Sequence, residues 1–181
     1  TLVLGGTRSG KSRYAEQLAA QGGGEVVYIA TAEARDAEMA ERIAHHRASR
    51  PAPWTTVEET LHLADAIERH ARPGRVVLVD CLTLWLSNLI FSAGDLPDTG
   101  RIALPALFLE QRQRLLDGLA RAGGDVVLVS NEVGLGIVPM GAVTRCFADE
   151  AGRLNQAVAA LATRVVFVAA GLPLALKGAP C

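Results

Sequence analysis

Cysteine is scarce in this chain, and what little there is forms no pattern. Cys81, Cys146 and Cys181 are the only three among 181 residues. They include no C-x-x-C pair and no metal-ligand spacing, which argues against a disulfide framework and against a zinc site. Reduced thiols in a cytoplasmic compartment are the expectation. An excess of positive charge is also missing. The formal net charge is −1, and the 18 basic residues, scattered and almost all arginine, leave little with which to neutralise a nucleic-acid backbone. No nucleic-acid partner is therefore expected. Long hydrophobic runs are absent too. The apolar stretches are broken by Gly, Asp or Arg well short of the ~20 residues of a membrane span, so none is expected. No charged segment precedes an apolar stretch at the start, so no secretory signal is expected. Nor is there a repeat or a linker.

What remains is the composition of a compact folded chain, half hydrophobic and one-fifth charged. Its length suits one domain over residues 1–181 better than two. Five runs read as strands: Leu2–Leu4, Val26–Ala30, Val76–Val79, Val126–Val129 and Val165–Val168. Each is continuously apolar rather than alternating, which is how a strand buried on both faces reads. Between them lie stretches of helical character near 11–20, 36–49, 60–71, 84–91, 104–122 and 143–163. Leu104, Leu107, Phe108, Leu115 and Leu119, for example, share one stripe. Residues 92–100 read as a surface loop and 171–181 as a short strand with a loose end. Strand alternating with helix implies an α/β fold, a mostly parallel sheet with helices on both faces. Ligands of such sheets bind beyond the carboxyl ends of the strands, so the turns after Leu4, Ala30, Val79 and Val129 are where chemistry is sought.

The first of those turns carries it. Gly5-Gly6-Thr7-Arg8-Ser9-Gly10-Lys11-Ser12 matches G-x-x-x-x-G-K-[ST]. The glycines let backbone N–H groups turn onto phosphate oxygens, and the following helix contributes its positive end. Lys11 would bridge the outer phosphates of a nucleotide, with the Ser12 hydroxyl on Mg²⁺. The chain is thus expected to be a P-loop NTPase of RecA-like architecture. A second acid to orient the metal is found in Asp80, which ends the apolar run Val76–Val79 in a Walker B pattern. An Asp there could instead cap the next helix.

Two adjacent histidines follow the second strand. Met39, Ile43 and His46 share an apolar stripe, whereas His45 falls with Glu38, Glu41 and Arg42 on the polar face. His45 is open to two readings, a solvated surface residue or a base or nucleophile near neutral pH. Arg47, Ser49 and Arg50 supply positive charge and donors within a turn of it. Pro51-Ala52-Pro53-Trp54 must leave the helix, and Glu58 and Glu59 follow a short extended piece, where a solvated helix start is their plain reading.

Taken together, several segments resemble one family in order and spacing. They are the Gly5–Ser12 loop, Tyr28-Ile29-Ala30-Thr31-Ala32, Arg42-Ile43-x-His45-His46, Arg50-Pro51-x-x-Trp54 and Asn131-Glu132-Val133-Gly134-x-Gly136-Ile137-Val138-Pro139. The family is the bifunctional adenosylcobinamide kinase/adenosylcobinamide-phosphate guanylyltransferase of cobalamin biosynthesis, and the similarity runs from Leu2 to about Val168. The resemblance implies two reactions. A γ-phosphate passes from ATP or GTP to the hydroxyl of adenosylcobinamide. GTP then gives GMP to adenosylcobinamide-phosphate through a guanylylated histidine, which falls on His45. It also implies nucleotide contacts at Gly5, Gly6, Thr7, Arg8, Ser9, Gly10, Lys11 and Ser12, at Thr31, Ala32 and Glu33, at Arg47, Ala48, Ser49 and Arg50, and at Glu58 and Asp80. Mg²⁺ and a homotrimer are further implications. Asn131–Pro139, after a strand end, is expected to contribute its glycines and Glu132 to the site. Family members can carry Glu where Asp80 stands, and residues 92–101 match nothing in the pattern. A simple P-loop kinase without a covalent histidine is the alternative. A GTP-dependent switch is disfavoured, because no N-K-x-D segment occurs and Asp80-Cys81-Leu82-Thr83 is not D-x-x-G.

Overall fold

The computed structural model describes residues 1–33, 41, 53–94, 96–97 and 99–179. Among these residues seven strands form one sheet in the order β3-β2-β4-β5-β1-β6-β7. They are β1 Leu2–Gly5, β2 Glu25–Ala30, β3 Thr55–Glu58, β4 Arg75–Asp80, β5 Asp125–Asn131, β6 Val165–Ala169 and β7 Leu172–Lys177. Every neighbouring pair is parallel except β6 with β7. Five helices lie among the described residues: α1 Lys11–Gln21, α2 Leu63–His70, α3 Leu82–Ile90, α4 Ala106–Arg121 and α5 Ala142–Leu161.

The apolar runs are continuous because both faces of the sheet are covered. Val27, Ile29, Val77, Val79, Leu2, Leu4 and Leu128 point into a core shared with α2, α3, α4 and α5. Their alternates Val26, Tyr28, Ala30, Val76, Leu78, Val3, Val127 and Val129 pack on the other face with Ala15 and Ala19 of α1. α3 is enclosed on nearly every side, with seven of its nine residues buried. Trp85 and Phe108 are fully buried in this layer, each worth on the order of 3 kcal/mol of hydrophobic stabilisation. The Trp85 indole N–H donates to Leu61 O at 2.8 Å, so its polar edge is satisfied.

Three details depart from the sequence reading. The short extended piece before Glu58 is a full strand, β3, at the sheet edge; Thr55-Thr56-Val57-Glu58 shows no apolar run because an edge strand is only partly covered. The helix expected over 60–71 starts later, at Leu63, because Glu59 Oε1 accepts hydrogen bonds from the Leu61 and His62 N–H groups and holds a turn ahead of it. The C-terminal strand forms a hairpin with β6 through Ala170 and Gly171, both at positive φ (51° and 78°), as a two-residue type I′ turn requires. The helix expected over 36–49 lies outside the described residues except for Glu41, which is helical.

Candidate active site

Gly5 closes β1 between Asn131 of β5 and Val168 of β6. A Cβ there would come within 2.5 Å of Val168 O and 2.5 Å of Ser9 Oγ, so no other residue fits without displacing backbone. The chain then turns through Gly6-Thr7-Arg8-Ser9, with the Ser9 N–H donating to Gly6 O at 3.2 Å and Arg8 at φ 56°. Gly10 adopts φ 95° and starts α1 without any side-chain cap. The first N–H groups of a helix have no partner within it. Left uncapped, those of α1 and its positive dipole end are available to an anion. Lys11 is only 9% exposed, and its Nζ donates to Gly6 O at 3.2 Å, folding the ammonium over the loop. Ser9 Oγ is buried and has no hydrogen-bond partner among the described residues. Thr7 and Arg8 are exposed and Ser12 is half-buried. A second element supports the loop: Gly171 N, at the tip of the β6–β7 hairpin, donates to Ser9 O at 2.8 Å.

Asp80 ends β4, paired with Ala30 of β2 on one side and Val129 of β5 on the other. Tyr28, itself buried, donates its hydroxyl to Asp80 Oδ2 at 3.0 Å and so fixes one carboxylate oxygen. Burial, then the Asp80 charge, pushes the neighbouring Cys81 thiol up to about 11, while Lys11 acts in the opposite direction. Cys81 is therefore a protonated structural thiol at neutral pH. Among the described residues no group of three or more His, Cys, Asp or Glu side chains could hold a metal. Ser12 and Asp80 supply one hydroxyl and one carboxylate. That sparse oxygen set suits Mg²⁺, which keeps several waters and takes phosphate oxygens as ligands.

The remaining expected contacts separate into distinct roles. Thr31 is fully buried; its Oγ1 accepts from Cys81 N at 2.8 Å and donates to Cys81 O at 2.7 Å. Its side chain therefore staples β2 to β4 and is not turned toward a ligand. Asn88 extends the staple, its Nδ2 donating to Thr31 O at 2.8 Å and Thr60 O at 3.2 Å. Ala32 is half-buried and Glu33 exposed, immediately beyond the staple. Glu58 is exposed at the end of β3, opposite Ala30, so Glu58, Ala30 and Asp80 reach the same carboxyl edge on adjacent strands. His45, Arg47, Ala48, Ser49 and Arg50 lie outside the described residues.

The segment after β5 adjoins the P-loop directly. Glu132 N donates to Gly5 O at 3.0 Å, and Glu132 Oε1 accepts from Gly134 N at 2.6 Å. Beneath it lies a buried polar network that sequence reasoning missed. Thr83 Oγ1 accepts from Asn131 N at 2.7 Å, and Ser130 Oγ donates to Asn155 Oδ1 at 2.7 Å. Asn155 Nδ2 in turn donates to Asn131 O at 3.3 Å. Polar residues at strand ends and on helices otherwise apolar, such as Asn88 and Thr83 in α3, were the signal available for these partners. A separate cavity of about 300 Å³, lined by Thr1, Val76, Asp125 and Arg164 among others, opens at the amino ends of the strands. It lies away from the edge where such sheets bind ligands.

A glycine-rich turn joining a buried parallel strand to an uncapped helix, a lysine folded over it and a carboxylate held at a nearby strand end define a P-loop enzyme of nucleotide phosphates. The chain belongs to the family described as cobinamide kinase / cobinamide phosphate guanyltransferase, whose model matches residues 1–176. It is 52% identical over 179 residues to the bifunctional adenosylcobalamin biosynthesis protein CobP of Pseudomonas aeruginosa, covering 99% of this chain and 98% of that one. It is 44% identical to the bifunctional adenosylcobalamin biosynthesis protein CobU of Escherichia coli, with 97% and 98% covered. Against the protein of that name in Salmonella typhimurium the identity is 42%, with the same coverage. The chain is accordingly a bifunctional kinase and guanylyltransferase that uses nucleotide substrates and acts on cobinamide. No helix among the described residues is long and apolar enough to cross a membrane.

Proposed function

We propose that this chain carries out both transfers of adenosylcobalamin biosynthesis on one domain, from one phosphate cradle, with His45 as the covalent carrier of GMP. The observation that carries the reading is the shape of the cradle: an uncapped helix start, a lysine over the loop, and Asp80 held by Tyr28. In the kinase step the hydroxyl oxygen of adenosylcobinamide attacks the γ-phosphorus of ATP or GTP. The bond to the β-phosphate oxygen breaks and the nucleoside diphosphate leaves. In the second reaction an imidazole nitrogen of His45 attacks the α-phosphorus of GTP and pyrophosphate leaves. A phosphate oxygen of adenosylcobinamide-phosphate then attacks the same phosphorus, the N–P bond breaks, and adenosylcobinamide-GDP is released.

Lys11 and the N–H groups from Gly6 to Ser12 stabilise the charge that builds on the transferring or departing phosphates. Ser12 and Asp80 would hold Mg²⁺, which would supply charge neutralisation at the phosphates. Arg47, Ala48, Ser49 and Arg50, with Ala32, Glu33 and Glu58, form the rest of the nucleotide contact set. Thr31 contributes by holding the strand ends beneath that contact set, since its hydroxyl bonds Cys81, its N–H donates to Asp80 O and its carbonyl accepts from Asn88. The homotrimer is taken from the family resemblance; β7, an edge strand whose Leu172 and Leu174 are exposed on one face, offers an apolar surface for a contact between subunits. A cytoplasmic setting agrees with the free thiols of Cys81 and Cys146.

The test is incubation with Mg²⁺ and GTP labelled at the α-phosphate, followed by assay for an acid-labile, base-stable label on the protein. The expected label is lost in His45→Ala and kept in His46→Ala, while His45→Ala retains cobinamide kinase activity. Folded, kinase-active protein that takes no α-label would refute the covalent step and leave the simple kinase.

A further inference from the structure

The segment between β5 and α5 presents an unusual surface. Ile137 is 97% exposed, Met140 95%, Leu135 81% and Val138 73%, all within one short loop. From Val133 through Thr144 no side chain is ionisable. Isolated exposed apolar residues are ordinary on a protein surface, but a contiguous uncharged run of this kind marks a binding site.

The loop is also fastened rather than loose. At its start Glu132 N is bonded to Gly5 O, and Glu132 Oε1 accepts from Gly134 N. At its end the Arg145 guanidinium donates to Pro139 O at 3.0 Å and also to Met140 O. The apolar side chains are thus carried on a backbone pinned at both ends, one end on the phosphate cradle itself. A preformed surface of this kind binds without first having to order itself.

We propose that this loop, through Ile137, Val138 and Met140, is the docking surface for the corrin macrocycle of the cobinamide substrate. The inference rests on the family reading and extends it to particular residues. The reasoning is steric and chemical. The acceptor hydroxyl must reach a γ-phosphate seated in the Gly5–Ser12 cradle. Cobinamide is far larger than that cradle, so most of it must rest on the surface alongside. A corrin ring carries methyl groups over its faces and uncharged amides at its rim, which suits an exposed apolar loop with no ionisable side chain. The loop also leads into a cavity of about 490 Å³ lined by Glu132, Leu135, Asn155 and Leu176. That volume suits a peripheral arm of the macrocycle, not the ring itself. Leu172 and Leu174 of β7, on the sheet edge and outside that cavity lining, are left to a subunit contact.

The test uses the full chain carrying Ile137→Ser with Met140→Ser, and Val138→Ser separately. All three positions are largely exposed, so the fold is retained. Kinase kinetics with adenosylcobinamide and GTP, and native mass by light scattering, are the readouts. The expected result is a rise in KM for adenosylcobinamide of about tenfold or more, equivalent to about 1.4 kcal/mol of lost binding. KM for GTP, GTP-derived labelling and native mass stay at wild-type values, and Ile137→Leu restores wild-type KM at that position. An unchanged KM for adenosylcobinamide in an active enzyme overturns the docking surface alone. A raised KM accompanied by a changed native mass assigns the loop to a subunit contact and overturns it as well. A wild-type chain that binds GTP but phosphorylates no cobinamide overturns the family reading and the docking surface together.

Discussion

Thr31→Val distinguishes a residue that holds the site together from one that touches the nucleotide. Valine matches threonine in volume, so the substitution leaves no cavity in a position that is fully buried. It removes one hydroxyl that makes two bonds, accepting from Cys81 N and donating to Cys81 O. The two losses differ. Cys81 O keeps a bond from Trp85 N at 3.2 Å, whereas Thr31 Oγ1 is the partner of Cys81 N in the staple. A buried N–H stripped of its acceptor costs about 1–3 kcal/mol, and the redundant bond adds about 0.5–1.5, so the expected destabilisation is about 2–4 kcal/mol. Each kcal/mol lowers the melting temperature of a chain this size by about 2–4 °C. Differential scanning calorimetry gives the stability, and equilibrium titration with a fluorescent GTP analogue gives the affinity. The expected outcome is a clear fall in melting temperature, with GTP affinity at saturating fold changed by less than about threefold, or 0.7 kcal/mol. A melting temperature within error of wild type, combined with about tenfold weaker GTP binding, would refute the staple and restore Thr31 as a direct ligand contact.

Three further outcomes follow from the geometry. Tyr28→Phe keeps the buried ring but frees Asp80 Oδ2, so the Mg²⁺ concentration giving half-maximal GTP binding should rise by about 10–100-fold with stability little changed; an unaltered Mg²⁺ titration contradicts the positioning role. Gly5→Ala forces a Cβ to within 2.5 Å of Val168 O and should destabilise the chain by about 1–3 kcal/mol, whereas Gly6→Ala meets nothing within 4 Å and should fold as wild type; thermal melts of the pair decide it. The Cys81 thiol, raised from 9.0 to about 11 chiefly by burial, favours the folded state most below pH 9 and loses that contribution as pH climbs toward 11. The loss is on the order of 2–3 kcal/mol in urea-unfolding free energy across that window. Cys81→Ala should flatten the slope, and an identical slope in the variant would exclude the thiol as its source.

The legible parts of this fold were those where burial is uniform. Val26–Ala30 and Val76–Val79 are readable as strands because helices or chain cover both faces, so apolar residues occupy every position. Thr55–Glu58 was not, because β3 lies at the edge and pairs only with β2, leaving its side chains partly in solvent. Strand order was equally hidden: β1 sits between β5 and β6, neighbours more than a hundred residues away in sequence, and no local pattern encodes that pairing. The P-loop could be recognised from spacing alone, since its backbone conformation demands glycine at fixed positions. Its support by Gly171 N could not, because the hairpin tip meets Ser9 O only once the sheet is assembled.

The same distinction separates the chemistry of this site from its scaffold. Parallel strands diverge at their carboxyl ends, where the ladder of hydrogen bonds stops and backbone groups lose their partners just beneath the ligand. Here those groups are met by short polar side chains: Thr31 on Cys81, Asn88 on Thr31 and Thr60, Thr83 on Asn131 N, and Asn155 on Asn131 O. A motif such as Tyr28–Ala32 therefore contains two kinds of polar residue that sequence spacing cannot tell apart. Tyr28 reaches the carboxylate proposed to orient the metal, while Thr31, three residues on, turns inward to close the backbone. Residues that satisfy strand ends should affect both transfers equally when replaced, because they hold the cradle common to both. His45, the proposed carrier of GMP, is the residue whose loss separates the two transfers, whereas a surface that holds the corrin ring serves the acceptors of both.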